Sequence, residues 1–448
     1  MKSGAGPTAP DAAAPVLHAV SRPLSWVPGD LLAYADPGEP LVWTRGDRGC
    51  AGSGEVLRLT FSGSTRFADA ARAWRDIAAT AVVDDPVGLP GSGLIAFGAF
   101  AFDDRSGAQS VLVVPRVLVA RHRGLAWVTE VSDRPLGREP RLPQPTPVGA
   151  WAGTELPVDE IDEHYLAGVR EAARRIESGA ADSSAEGNPS AIEKIVLARR
   201  ISGSIAAADD LRVPLGRLAD RYDDCWTYAV DGLLGASPET LVRQTDGAIS
   251  ARVLAGTRGR KPEQPEADVR ARDELLMSAK EQHEHDFAVQ SVVTALAPHI
   301  RELRTSEQPY ALELPNVWHL ATDLGAVPGD DSSSLELAAA LHPTAAVAGT
   351  PTQAAVRAIA ALEPFDRERY AGAVGWMDTA GDGEWVIALR CAQIGPQNDE
   401  DAGGSATRTV TAFAGGGIVD GSDPQREFAE TVSKFAPISE AFSAEAPR

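Results

Sequence analysis

Short apolar segments bounded by glycine or proline recur along this chain, and helical segments separate some of them without a regular strand–helix alternation. Strand-like examples include LLAYA, EVLRLTFSG, GLIAFGAFAF and SVLVVPRVLVAR in the first third, and EWVIALRCAQI and TRTVTAFAG near the end. A parallel sheet needs a long crossover, usually a helix, between paired strands, and this pattern lacks that repeat. The sequence therefore predicts an α+β fold with large antiparallel β-sheets and surrounding helices.

Periodic apolar residues predict helices in ADAARAWRDIAATA, IDEHYLAGVREAARRIESG, SLELAAALH and TQAAVRAIAAL. We also expect a single long helix across DELLMSAKEQHEHDFAVQSVVTALAPHIREL and a last helix from about Pro424. Residues 1–15 are rich in Ala, Pro and Gly and are expected to be disordered. Residues 16–448 are expected to form a single domain whose motifs lie in 191–434. We expect AADSSAEGNPS to be a flexible loop and NDEDAGGS to be a hairpin tip.

The composition excludes some classes of partner. A net charge of −21 opposes binding to nucleic acid or to an anionic membrane. The sequence contains no run of about 18 apolar residues, the length that could span a bilayer. We therefore expect a small-molecule ligand, no nucleic acid and no membrane. The three cysteines are too few for a disulfide framework, and MKSGAGPTAPDAAAP lacks the apolar core of a signal peptide, so a cytoplasmic location is expected.

Two predicted helices each carry glutamates three residues apart. Glu281 and Glu284 lie in KEQHEH, and Glu427 and Glu430 lie in REFAET. Residues at this spacing share one helical face, where like charges repel unless a cation neutralises them. Oxygen ligands of this kind suit Mg²⁺, whereas a solvated helical face is the alternative for either pair alone.

Two further charged residues lie next to apolar strands. Lys194 in AIEKIVLARR shares a strand face with Val196 and Ala198, so it would point into a partly dry interior and could act as a base. Glu239 in GASPET follows a Gly-Ala-Ser-Pro turn, where a protonated carboxylic acid could donate to a leaving hydroxyl. A solvated lysine at a sheet edge and an ordinary Pro-Glu turn are the alternatives.

Glycines beside polar residues complete the candidate set. Gly256-Thr257, the run Ala414-Gly415-Gly416-Gly417 and Arg390 in IALRC could approach and hold an anion, because glycine admits close backbone contacts and arginine binds carboxylates bidentately. Tight turns and a surface ion pair explain each of them equally well when it is taken singly.

In their order along the chain, these motifs resemble the chorismate-utilising family that includes isochorismate, salicylate, anthranilate and aminodeoxychorismate synthases. The resemblance covers roughly residues 191–434 and rests on EKIVLARR, GASPETLV, LAGTRGR, KEQHEH, WHLAT, LHPTAAVAGTP, EPFDRERYAGAVGW, GDGEW, IALRCAQI, AGGGIVDGSDP and EFAETVSK.

The resemblance implies roles for individual residues. Lys194 would be the general base that activates water, and Glu239 the general acid that protonates the departing hydroxyl. Glu284 and Glu430 would hold Mg²⁺, with Glu281 and Glu427 nearby. The residues implied to bind or line the substrate, chorismate, are Gly256, Thr257, His319, Ala346, Val347, Arg390, Gly415 and Lys434.

The resemblance favours isochorismate synthase, an isomerase of menaquinone or siderophore biosynthesis. Lys194 argues against anthranilate synthases, and Ala255 argues against aminodeoxychorismate synthases of the nucleophilic-lysine type. Ala346-Val347 stands where isochorismate synthases carry a small apolar pair, often Ala-Leu, so the valine departs mildly from the pattern. No glutamine amidotransferase partner is expected when water is the nucleophile. Salicylate synthase is the alternative activity, and an inactive chorismate-binding relative is the non-enzymatic alternative.

Overall fold

The computed structural model describes residues 15–179, 191–306, 308–315, 317–398 and 406–445. The predicted N-terminal disorder lies almost wholly outside these residues, as do the loop AADSSAEGNPS and most of the hairpin tip NDEDAGGS. Among the described helices, none combines the length and the apolarity that a membrane crossing requires.

The strands within these ranges are β1 (His18–Pro23), β2 (Leu41–Arg45), β3 (Arg48–Phe61), β4 (Val82–Asp84), β5 (Ile95–Ala99), β6 (Ser110–His122), β7 (Leu125–Ser132), β8 (Lys194–Ala206), β9 (Trp226–Val230), β10 (Leu233–Ser237), β11 (Thr240–Thr245), β12 (Ala248–Gly259), β13 (Ile300–Thr305), β14 (Tyr310–Glu313), β15 (Val317–Pro328), β16 (Gly349–Thr350), β17 (Ala373–Asp378), β18 (Gly383–Ile387), β19 (Cys391–Gln397) and β20 (Thr407–Ile418). The α-helices are α1 (Arg66–Thr80), α2 (Glu163–Glu177), α3 (Arg212–Arg221), α4 (Pro265–Met277), α5 (Ala279–Leu296), α6 (Ser334–Leu341), α7 (Thr352–Leu362) and α8 (Pro424–Phe442). Short 3₁₀ turns occupy Leu32–Tyr34 and Ala297–His299.

The strand pairing is antiparallel except between β1 and β4. Strand β6 pairs with β7, which continues through β1 to β4, and two longer runs of neighbouring strands also lead away from β6. One run is β3, β2, β9, β10, β19, β20, β8 and β16. The other is β5, β17, β18, β11, β12 and β15. The predicted α+β fold with large antiparallel sheets is therefore confirmed.

The position of helix α8 is set by packing of its apolar side chains. Phe435 and Phe442 are buried in one hydrophobic cluster together with Leu215 of α3. Glu427, Glu430 and Lys434 follow one another at intervals of three and four residues, so they lie on a common stripe of the same helix. Packing of the phenylalanines therefore leaves a charged stripe for the neighbouring cavity.

Two local predictions are wrong. The segment LLAYA contains a 3₁₀ turn instead of a strand, because the Asp30 carboxylate accepts a hydrogen bond from the Leu32 amide at 2.8 Å and stabilises the turn. The long helix expected across residues 273–303 is interrupted at Ser278, and its last residues form β13. The Ser278 hydroxyl caps the new helix by accepting from the Glu281 amide at 3.4 Å. This break places Glu281 in the first turn of α5.

Candidate active site

A cavity of about 180 Å³ lies between the two runs of strands, with residues of α5 and α8 in its wall. The residues to which the family resemblance assigns roles all line it: Lys194, Glu239, Gly256, Thr257, Glu281, Glu284, His319, Ala346, Val347, Arg390, Gly415, Glu427, Glu430 and Lys434. Segments far apart in the sequence thus converge on one space. Their individual roles remain predictions.

Lys194 is the first residue of β8, and its side chain crosses the neighbouring strand β20 at Gly417. A Cβ added to Gly417 would lie 2.7 Å from Lys194 Cε, so a larger residue there would displace the end of the lysine side chain. The Lys194 side chain is 15% exposed, and Nζ lies 3.4 Å from Glu284 Oε2. The predicted orientation towards a partly dry interior, shared with Val196, therefore matches the structure.

Glu239 follows the last residues of β10 across Pro238 and is buried, with 6% of its surface exposed. Burial raises the pKa of this carboxyl to about 7, although Arg390 and the Leu254 amide act in the opposite direction. A carboxylic acid with this pKa is substantially protonated at neutral pH. It can therefore donate a proton, as the sequence predicts.

Arg390 lies in the connection between β18 and β19 with a left-handed backbone (φ 45°). Its Nη2 donates to His319 Nε2 at 3.1 Å, while its buried Nε has no hydrogen-bond partner within the described residues. An unsatisfied buried donor is costly, so this guanidinium is well suited to a carboxylate ligand.

His319 is neutral and has a defined tautomer. Burial, and then the charges of Arg390 and Lys434, lower the pKa of its imidazole to about 3. Since an arginine only donates, Nε2 must accept, and the proton must lie on Nδ1. Nδ1 is 3.0 Å from Thr257 Oγ1 and 3.3 Å from the Gly256 carbonyl oxygen. His319 thus connects Arg390 to the part of β12 that lines the cavity.

Strand β12 has a β-bulge between Ala255 and Thr257 where it pairs with β15. Gly256 adopts φ 81°, and a Cβ there would lie 3.1 Å from Glu281 Oε2. His285 of α5 holds the same segment through Nδ1, 3.2 Å from the Ala255 carbonyl oxygen. The bulge therefore turns β12 towards the glutamates of α5.

Within each glutamate pair, the two carboxylates differ in how their charge is neutralised. Burial and the neighbouring Glu284 raise the pKa of Glu281, and burial and Glu430 raise the pKa of Glu427. The pKa of Glu430 is lowered chiefly by Lys434, whose Nζ lies 2.7 Å from Glu430 Oε1. Each helix therefore carries one carboxylate paired with lysine and one that is poorly compensated.

This donor set fits Mg²⁺, which prefers oxygen ligands and keeps several waters beside one or two protein carboxylates. Within the described ranges, no three acidic, histidine or cysteine side chains stand close enough to form a metal site by themselves. An ion at this site would be held by one or two of the glutamates, and water would complete its coordination.

The sequence analysis missed several residues of the cavity wall. Lys280 lines it beside Glu284, and Tyr370, Leu389 and Phe413 supply apolar surface. Lys280 stands four residues before Glu284, a spacing that could have been recognised. The aromatic residues gave no local signal because buried core residues have the same pattern. Three of the five lysines of this acidic chain line the cavity.

Arg367, in the motif EPFDRERY, supports the wall from behind. It forms a buried ion pair with Glu363 at 2.5 Å, and it donates to the carbonyl oxygens of Val347 at 2.9 Å and Val196 at 2.7 Å. Glu363 in turn accepts from the Ala198 amide at 2.8 Å. This pair joins the loop that carries Ala346 and Val347 to strand β8.

Comparison with known proteins agrees with this geometry. A family model described as chorismate binding enzyme matches residues 31–133 and 161–443. Isochorismate synthase DhbC of Bacillus subtilis (strain 168) is 39% identical over 62% of this chain and 67% of its own length. Isochorismate synthase EntC of Escherichia coli (strain K12) is 39% identical over 56% of this chain and 62% of its own length.

Solved structures share the fold. The crystal structure of DhbC from Bacillus anthracis has a TM-score of 0.69 at 30% identity and covers 92% of this chain and 99% of that chain. The menaquinone-specific isochorismate synthase MenF from Escherichia coli has a TM-score of 0.71 at 24% identity, with 96% of each chain covered. The family model spans most of the sequence and includes every candidate site residue. This chain therefore belongs to the chorismate-binding enzyme family.

Proposed function

We propose that the protein is a Mg²⁺-dependent isochorismate synthase that serves menaquinone or siderophore biosynthesis. The observation that carries the proposal is the meeting of Lys194 and the buried, protonatable Glu239 in one cavity. These residues come from different segments, β8 and the connection after β10, as an acid and a base that act on separate positions of one ring require. Relatives named isochorismate synthase support the same reaction.

In this reaction, Lys194 accepts a proton from a water that adds to ring carbon 2 of chorismate. Glu239 donates its proton to the hydroxyl at carbon 4, which leaves as water while the double bonds shift. One water enters and one leaves, so the reaction is an isomerisation. The pKa of about 7 for Glu239 keeps much of this carboxyl protonated near neutrality.

The charged side chains that line the cavity explain how an acidic protein could bind a substrate with two carboxylates. Five carboxylates and four cations line the cavity: Glu239, Glu281, Glu284, Glu427 and Glu430, with Lys194, Lys280, Lys434 and Arg390. When Glu239 is protonated and Lys194 carries the neutral amine that a base requires, four negative charges face three positive ones. A doubly charged substrate and a divalent cation then enter together without adding net charge.

Arg390 and Lys434 are proposed to bind the two carboxylates. Arg390 offers its unpartnered Nε, and His319 holds the guanidinium in place. Lys434 is oriented by two contacts, because Nζ donates to the Gly415 carbonyl oxygen at 2.8 Å and lies 2.7 Å from Glu430.

Glu284 and Glu430 would hold Mg²⁺, with Glu281 and Glu427 contributing through water. The ion would neutralise the ring carboxylate of the substrate and polarise it. Without the ion, the poorly compensated carboxylates of Glu281 and Glu427 face the approaching substrate. We therefore propose that turnover depends on the metal.

Salicylate synthase is the second candidate, because it would use the same base, acid and metal ligands and then eliminate pyruvate. Ala346 and Val347, a small apolar pair in the cavity wall, favour isochorismate as the final product. Water as nucleophile removes the need for an amidotransferase partner. The test is the identity of the product formed from chorismate with Mg²⁺ and with excess EDTA.

A further inference from the structure

Tyr165 lies in the first turn of α2, outside the set of residues that line the cavity. Asp162 caps this helix by accepting a hydrogen bond from the Tyr165 amide at 3.0 Å. The side chain is buried, with 4% of the residue exposed, and its hydroxyl has no hydrogen-bond partner in the described part of the chain. A buried hydroxyl without a partner is unfavourable, so it calls for a physical explanation.

The phenol lies near the carboxylates of α8. A Cβ added to Gly416 would lie 3.1 Å from Glu427 Oε2, 3.6 Å from the Tyr165 hydroxyl and 3.8 Å from Glu430 Oε1. Gly415 and Gly417 line the cavity, whereas Gly416 is not part of its wall and faces the other side of β20. Tyr165 therefore approaches the glutamate pair from behind, through the space that the missing Cβ leaves open.

Charge distinguishes the two possible acceptors. Glu430 is already paired with Lys434 at 2.7 Å. Glu427 makes no ion pair within the described residues, so its carboxylate can accept a further hydrogen bond. A phenol is an O–H donor near neutral pH. A buried donor thus lies near an acceptor that lacks a cationic partner.

We propose that Tyr165 is a positioning residue whose hydroxyl, unpartnered in the metal-free protein within the described residues, donates a hydrogen bond to Glu427 when a divalent cation is bound and so fixes the orientation of that carboxylate. This inference rests on the proposed function only in assigning the α8 glutamates to Mg²⁺. Groups that orient metal ligands in this way typically contribute about 10- to 100-fold in metal affinity.

The first test is Tyr165→Phe, which removes the hydroxyl and keeps the ring. Mg²⁺ is titrated by calorimetry into substrate-free wild-type and variant protein. The dissociation constant for Mg²⁺ should rise by about 10- to 100-fold in the variant. Tyr222→Phe is the matched control, because Tyr222 is also buried but caps α3 away from the cavity, and its Mg²⁺ affinity should equal that of the wild type.

Thermal unfolding of the metal-free protein distinguishes a positioning role of Tyr165 from a role in packing. Tyr165→Phe should leave the thermal midpoint of the metal-free protein unchanged or slightly raised, since the hydroxyl lacks a partner there. A marked fall in this midpoint together with unchanged Mg²⁺ affinity would show a structural role only and would overturn the proposal.

The acceptor is tested with Glu427→Gln. If Tyr165 acts through Glu427, Tyr165→Phe should weaken Mg²⁺ binding in the wild-type background but have little further effect in Glu427→Gln. Equal effects in both backgrounds would contradict the assigned contact, as would an absence of Mg²⁺ binding by the wild type. The product formed from chorismate by the wild type is measured separately, so failure of this contact and failure of the proposed reaction are distinguishable.

Discussion

Arg390 Nη2 donates a hydrogen bond of 3.1 Å to the neutral imidazole of His319. The imidazole also contacts Thr257 and the Gly256 carbonyl, so one side chain links a buried cation to the bulge of β12. Arg390 itself stands in a left-handed backbone conformation that costs free energy in a non-glycine residue. The pair holds in a preset position the cation that we propose binds the substrate.

Replacing His319 with Ala should therefore weaken chorismate binding. Hydrogen bonds to charged groups contribute about 1.5–3 kcal/mol, which corresponds to roughly a 10- to 150-fold loss in kcat/KM. Steady-state kinetics measures the effect. The control is His299→Ala, which removes an exposed hydrogen bond to Asp330 and should leave kcat/KM unchanged. Wild-type kinetics in His319→Ala would exclude the positioning role.

The pH dependence of kcat/KM should report Glu239. Its pKa is raised to about 7, so the proton-donating form is present below that pH and is lost above it. We expect kcat/KM to fall on the alkaline side with a midpoint near 7, approaching about tenfold for each pH unit. Profiles of the wild type and Glu239→Gln provide the comparison. A wild-type profile that stays flat well above pH 7 would argue against Glu239 as the acid.

Lys194→Ala and Glu239→Gln should each reduce turnover by about two to four orders of magnitude, the usual contribution of a positioned base or acid. Because both serve one transition state, the double variant should lose less than the product of the single losses. Circular dichroism checks that the fold is retained. Near wild-type turnover by Lys194→Ala would mean that another group activates the water.

Gly417→Ala tests the position of Lys194 without removing its charge. The new Cβ would stand 2.7 Å from Lys194 Cε and displace the side chain, so turnover should fall by roughly tenfold or more, since catalysis is sensitive to small misplacements. Gly325→Ala in β15 is the matched control, because nothing lies within 4 Å of its Cβ. If both alanine variants turn over chorismate equally well, the position of the lysine stem is not critical.

Much of the fold class could be predicted because strand patterning and the lack of a regular crossover are local features. The pairing order could not be predicted, since antiparallel registers such as Gly417 opposite Val196 join residues more than 200 positions apart. The break at Ser278 was missed because the helical pattern continues across it, whereas a side-chain cap ends one helix and begins the next.

The candidate site was predicted as a set of residues, and the structure brings them together in one cavity. The resemblance to a family, and not periodicity, selected His319 and Lys434. Tyr165 and Arg367 escaped notice because they act on the site through neighbours: a tyrosine in an amphipathic helix and an arginine in a loop have many ordinary explanations. Their importance depends on distances that only the folded chain provides.

The most direct test of the central claim is chromatographic identification of the product after a long incubation of the protein with chorismate and Mg²⁺ at neutral pH. We predict isochorismate as the dominant stable product, with turnover abolished by excess EDTA and restored by added Mg²⁺. Salicylate with stoichiometric pyruvate would instead indicate a salicylate synthase. Full turnover in excess EDTA, or no consumption of chorismate with Mg²⁺ present, would contradict the account.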